Sequence, residues 1–162
     1  MSKPEEIKHI LDVIAKVATQ FLQDEIGVTI DEQQQRVVYS EQLKLKPFTV
    51  MMSISGCFSL DIFFSFDERL IEQVYKIYCR ELDLDEAEHL EHIDETASDM
   101  INIVIGNSTH LLAEDGTMVN ISVPIVIKQS KSMSDINVKV LTTDLFSHFG
   151  DMMITAMPNR LD

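Results

Sequence analysis

Four residues between Asp94 and Gly106, in the segment DETASDMINIVIG, have types and spacing that could do chemistry: Glu95, Asp99, Asn102 and Gly106. They follow one another at steps of four, three and four, so on a helix all four fall in one narrow stripe. Glu88 extends the stripe upstream, and His92 and His110 run along its edge. Ala97, Met100, Ile101, Ile103, Val104, Ile105, Leu111 and Leu112 take the other faces. The pattern predicts a helix buried round most of its circumference, with an open face about one residue wide. Carboxylates accept strong hydrogen bonds from cations, an amide both donates and accepts, and a glycine lets another backbone come close. The competing reading is an ordinary amphipathic helix showing its solvated side. Solvated stripes favour long charged residues, however, whereas Asp, Asn and Gly are poor helix formers away from the ends.

Other candidate chemistries are weaker. EAEHLEH holds Glu86, His89 and His92 at steps of three, a spacing at which helical neighbours can share a metal. A metal site needs further ligands from a second element, and no other His-rich segment exists, so a solvated helix face is the better reading. Cys57 and Cys79 lack a CxxC partner and read as buried thiols. His148 follows Ser147 in SHFG, but no spacing picks out a Ser-His-Asp set. SISG and VIGNS have neither the Walker lysine nor the Rossmann glycine spacing.

The elements that must position the stripe are legible from periodicity. PEEIKHILDVIAKVATQFL places Ile7, Ile10, Leu11, Ile14, Val17, Ala18, Phe21 and Leu22 on one helical face, with Pro4 and two acids at its start. IGVTI and QRVVYSEQL read as short strands or a hairpin around the polar DEQQQ. PFTVMMSISGCFSLDIFFSF reads as two strands about a turn at Ser55-Gly56. In the second, Phe58, Leu60, Ile62, Phe64 and Phe66 share one face; Cys57, Ser59, Asp61 and Ser65 share the other, broken only by Phe63. DERLIEQVYKIYCREL predicts a helix capped by Asp67, with Leu70, Ile71, Val74, Ile77 and Tyr78 inward. The next helical stretch starts at Asp85 and Glu88 and stops at Gly116, either as one helix or as two that break near Ile93-Asp94. TMVNISVPIVIKQS, INVKVLTT and DMMITAM read as strands, the first made an edge or bulged strand by Pro124. Strands separated by helices in this order predict an α+β fold, a largely antiparallel sheet with helices packed on it.

Composition narrows the possible functions. A length of 162 residues predicts one domain over 1–162, and 45% hydrophobic residues suffice for a sizeable core. A formal net charge of -14 with no Lys/Arg cluster argues against nucleic-acid binding and against anionic membrane surfaces. No segment has the apolar length of a membrane span, and the N-terminus reads as a mature helix rather than a signal. Two cysteines do not make a disulfide scaffold, so a cytoplasmic location is expected.

DETASDMINIVIG resembles the signature helix of the CheC/CheX/FliY phosphatases of bacterial chemotaxis. Their pattern is a small polar or acidic residue, three residues, Glu, two residues, Asn, and often Gly four further on; Glu95, Asp99, Asn102 and Gly106 stand at those places. SGCFSLDIFFSF resembles the family's hairpin before its helix pair, and VNISVPIVIKQS the Pro-containing strand that follows. The motif occurs once, which resembles the one-site CheX pattern more than the two-site CheC pattern.

The resemblance implies a CheC/CheX-like fold and a phosphatase acting on the aspartyl phosphate of CheY-type response regulators. It implies that the phosphorylated receiver brings its own Mg²⁺, so that the phosphatase needs no cofactor or metal. Asn102 would enter the receiver site and order the attacking water, as a glutamine does in GTPases. Asp99 would pair with the receiver's lysine, with Glu95 and Gly106 supporting the docking. The family has Glu where this chain has Asp99, one methylene shorter. Either the pair forms at closer approach, or binding and catalysis weaken. A homodimer is expected by the same likeness, joined through sheet edges. The alternative function is a non-catalytic module of the same fold that binds a receiver or a flagellar-switch component.

Overall fold

The computed structural model describes residues 3–56, 59–78, 86–127 and 138–158, without the side chains of 86, 87, 89 and 90. Cys57, Phe58, Cys79 and Asp85 therefore lie outside the described residues. Three helices, α1 (Lys3–Phe21), α2 (Glu68–Tyr78) and α3 (Glu86–Glu114), accompany seven strands: β1 (Glu32–Tyr39), β2 (Phe48–Ser55), β3 (Ser59–Phe66), β4 (Asn120–Ile121), β5 (Ile125–Ile127), β6 (Lys139–Phe146) and β7 (Met152–Pro158). The strands form one antiparallel sheet in the order β1-β6-β7-β3-β2-β4, with β5 also on β2. The fold is α+β, as the element order predicts.

The apolar stripe of α1 is buried as expected from Ile7 to Phe21. It packs with the inward faces of α2 and α3 against Leu60, Ile62, Phe64 and Phe66 of β3 and Met152, Ile154 and Ala156 of β7. β7 and β3 are central strands, and six consecutive residues of β7 are buried because both faces of the sheet are covered there.

Burial on the second face corrects the simple alternation expected of β3. Phe63, Val140 and Met157 form a smaller cluster on the side away from the helices, under Leu43 and Leu45. Polar groups enclosed on that side are satisfied. Thr142 Oγ1 lies 2.8 Å from Thr155 Oγ1 and donates to the Ile154 carbonyl at 3.2 Å. The Ser65 hydroxyl accepts from the Lys46 N–H and lies 3.3 Å from Thr49 Oγ1.

Two local expectations also change. IGVTI is not a strand: α1 ends in a π-helical turn, Leu22–Ile26, closed by Gly27 in the left-handed region at φ 79°. Ile26 and Val28 are apolar because they plug the core. DEQQQ is not a connection either; Glu32 to Gln35 pair with Phe146 to Thr143 in the edge strand β1. The ladder needs only backbone groups, and the solvent-facing positions of an edge strand accept glutamine.

The Pro124 segment is a bulged edge. Between the pairs Ile54–Ile121 and Met51–Ile125 the outer strand carries one residue more than β2. Ser122 bridges the gap, its N–H donating to the Ser53 carbonyl at 2.9 Å and its hydroxyl accepting the Ser53 N–H at 2.8 Å.

α3 is one continuous helix of 29 residues with no break near Ile93-Asp94. It stops in a Schellman arrangement: Gly116, at φ 83°, donates to the Ala113 carbonyl at 3.0 Å, and Thr117 donates to that of Leu112 at 2.8 Å. The chain leaving α3 then presses on the β2–β3 turn. A Cβ on Gly56 would lie 2.7 Å from the Met118 carbonyl oxygen. Gly56→Ala is therefore expected to destabilise the fold by about 1–3 kcal/mol in urea unfolding; unchanged stability would show that the Met118 crossing yields freely.

Candidate functional site

The site is the outer face of α3. Ile93, Ala97, Met100, Ile101, Val104, Ile105 and Leu112 are buried, and this fixes the rotation of the helix about its axis. Glu95, Asp99, Asn102 and Gly106 are then all exposed, as the spacing predicts. At about 1.5 Å per residue they form a row about 16 Å long. His92 Nδ1 stands 3.4 Å from Glu95 Oε2 and borders the row upstream.

The open face is wider than the sequence pattern suggests. Ile103 and Leu111 are 42% and 37% exposed, and Asn107 and His110 are exposed beside them. Apolar type alone assigns Ile103 and Leu111 to the buried side; among the described residues no helix encloses them. α1 runs antiparallel beside α3, with His9 Nε2 3.2 Å from Asp115 Oδ2 at one end. At the other end α1 runs into its π-helical turn. An open groove of about 360 Å³ results, lined by Phe21, Asp24, Glu25, Asn107, His110 and Leu111 among others.

Residues that the linear sequence did not single out frame Asp99. Tyr78 closes α2, and it is 43% exposed rather than turned inward with Leu70, Ile71 and Val74. Its ring stacks on Phe21, centroids 6.4 Å apart and planes 16° from parallel. Burial raises the Tyr78 phenol above its ordinary value of 10.0, and the negative charges of Glu25 and Asp99 raise it further. Two carboxylates from distant parts of the chain therefore act on one phenol. No periodicity reveals this, because α1, α2 and α3 meet here only through the fold. α2 is anchored at its other end by Asp67, whose carboxylate accepts from Lys46 Nζ at 3.1 Å and from the Asp151 N–H at 2.7 Å.

On the opposite flank, Asp94, Glu95, Ser98 and Asp99 line a shallow depression with Val126 of β5. Within the described residues no three His, Cys, Asp or Glu side chains converge as a metal site. Glu86 and His89 of the EAEHLEH pattern have side chains outside the description. No helix among the described residues is long and apolar enough to cross a membrane. What the face offers among the described residues is an amide and a row of carboxylates carried on one continuous helix.

Comparison with known proteins bears on the family and the fold. The family described as chemotaxis phosphatase CheX matches residues 48–144, a span that includes all of α3. No curated protein matches the chain. Among solved structures, a chemotaxis protein CheX from Desulfovibrio desulfuricans is 17% identical and superposes at a TM-score of 0.78 over 93% of this chain and 99% of its own. CheX from Vibrio vulnificus is 15% identical, with a TM-score of 0.72 over 93% and 99%. CheX from Borrelia burgdorferi, in a complex of CheX, CheY, BeF3 and Mg, is 19% identical, with a TM-score of 0.71 over 92% and 97%. At such identities these likenesses establish the fold.

Gly106 separates the demands of the fold from those of the face. A Cβ there would meet nothing within 4 Å, and alanine is the better helix former. Gly106→Ala is expected to stabilise the protein by about 0.5–1 kcal/mol in urea unfolding. A loss of stability would mean that the glycine serves the helix itself.

Proposed function

The chain belongs to the CheX family of chemotaxis phosphatases, and on that premise we propose that it hydrolyses the aspartyl phosphate of a CheY-type response regulator. The observation that carries the proposal is the pair Asp99 and Asn102, exposed one turn apart on α3 inside the segment that matches the family. The relative from Borrelia burgdorferi in complex with CheY supports a receiver as the partner.

In this reading α3 docks with its stripe against the phosphorylated aspartate. The Asn102 carbonyl oxygen accepts a hydrogen from a water and so aims the oxygen lone pair at phosphorus. The water oxygen bonds to phosphorus, the bond to the aspartyl oxygen breaks, and inorganic phosphate and a free carboxylate leave. The Mg²⁺ belongs to the receiver, where it neutralises charge on the phosphoryl oxygens. Asp99 pairs with a receiver lysine. Glu95 supports the docking from one turn upstream, and Gly106 leaves room for the partner's backbone.

Asp99 also motivates the second reading. The family's residue there is Glu, and a carboxylate one methylene shorter suits a module that docks a receiver or a flagellar-switch component without hydrolysing the phosphate. Single-turnover decay of a phosphorylated receiver separates the two. Asn102→Ala is expected to slow decay by about 10²-fold or more with its melting temperature kept, since the side chain faces solvent. Asp99→Ala should weaken receiver binding by about 2–5 kcal/mol if the ion pair is enclosed at the interface, and Asp99→Glu should keep binding. Parental decay with Asn102→Ala would remove the water-positioning role, and equal binding by Asp, Glu and Ala at position 99 would remove the lysine pair.

We also propose a homodimer through the β1 edge. β1 is an uninterrupted eight-residue strand at a sheet edge that no other described strand pairs, whereas the opposite edge is broken by the Pro124 bulge. Sedimentation at micromolar concentration is expected to give twice the chain mass. Replacing Val37, which is 63% exposed on β1, with proline removes a backbone donor from that edge strand. A monomer in the parent protein would exclude the dimer.

A further inference from the structure

The row from Glu95 to Gly106 is too small to hold a protein partner alone. A specific protein interface covers about 800 Å² on each side, so the receiver must also contact a flank of α3. The two flanks differ in chemistry. Beside β5 the depression is shallow, and four of its five lining residues are Asp94, Glu95, Ser98 and Asp99. Beside α1 the groove of about 360 Å³ has an apolar floor.

That floor is made by Val17 and Phe21, both buried, with the partly exposed Leu111 as its wall. Ile103, one turn before Asn107, leaves a second aliphatic side chain open on the same side of α3. Asp24 and Glu25 form the rim opposite Asn107 and His110. The π-helical turn that carries them is closed by the Gly27 N–H bonded to the Leu22 carbonyl, and Phe21 just before it stacks on Tyr78. Among the described residues no Lys or Arg makes an ion pair with Asp24 or Glu25. The groove adjoins the stripe, because Gly106, Asn107 and His110 are exposed within about one turn of α3.

We propose that this groove is the second half of the receiver-docking surface, taking an apolar side chain flanked by a lysine or arginine of the receiver. The inference rests on the receiver reading above and extends it to specificity. The floor removes the apolar side chain from water, and the acidic rim pairs with the cation beside it. A receiver lacking either group is discriminated against at binding, while Asn102 acts on the phosphate of any receiver that docks.

The test uses the full chain and one CheY-type receiver, charged with beryllofluoride and Mg²⁺ for binding and with acetyl phosphate for turnover. Leu111→Ser removes the wall, and Asp24→Lys with Glu25→Lys reverses the rim at exposed positions where folding is not at risk. Each is expected to raise Kd and KM by about tenfold, with the maximal rate within about twofold of the parent. The rim variant should also flatten the dependence of Kd on salt. Parental Kd and KM in both variants would overturn the groove proposal, and so would a fall in maximal rate at parental KM. The parent protein against the same receiver marks the other failure: if it neither binds the charged receiver nor shortens the phosphoryl lifetime, the receiver-phosphatase reading falls, and the groove proposal falls with it.

Discussion

Burial of one side of α3 is the constraint on which the rest of the structure depends. Met100, Ile101, Val104 and Ile105 are fully enclosed against the sheet and the neighbouring helices. Rotating α3 by one residue would carry Asp99 or Asn102 into that interior without partners, at a cost of several kcal/mol. The direction in which the stripe points is therefore set by hydrophobic packing and needs no hydrogen bond to hold it. α1 and α2 flank α3 and then end, at Phe21 and Tyr78, beside the face they leave open.

A rigid helix suits the proposed chemistry. A water-positioning amide works by geometry, and a group carried on a packed helix loses little freedom when it meets its partner. The acidity of the surface is a second physical condition. Glu95, Asp99, Asp24 and Glu25 would repel a bare phosphoryl group, and a net charge of -14 adds to that repulsion. Docking in the proposed role therefore requires the receiver to present cations near its phosphate. The carboxylates then favour receivers that carry those cations over other phosphorylated surfaces.

Much of this was legible in the sequence. Period 3.6 located α1, α2 and α3 and the stripe itself, period 2 located β3, and Pro124 marked the bulged edge. The failures share a cause. Ile103 and Leu111 have the type of core residues, yet they stay open because nothing among the described residues packs over them. Phe63 broke the alternation of β3 because a second cluster with Val140 and Met157 covers the far face, formed by residues distant in sequence. DEQQQ became strand because β6 supplied a ladder. The Phe21–Tyr78 stack, and Glu25 and Asp99 acting on one phenol, depend wholly on long-range packing.

The central claim is that the α3 face hydrolyses a receiver's aspartyl phosphate rather than merely docking on it. The most direct measurement is the decay of ³²P-labelled phosphoryl groups on a CheY-type receiver with substoichiometric amounts of this protein. The account predicts accelerated decay that continues through many turnovers and releases inorganic phosphate. Tight binding to the phosphorylated receiver with an unchanged phosphoryl lifetime would contradict it.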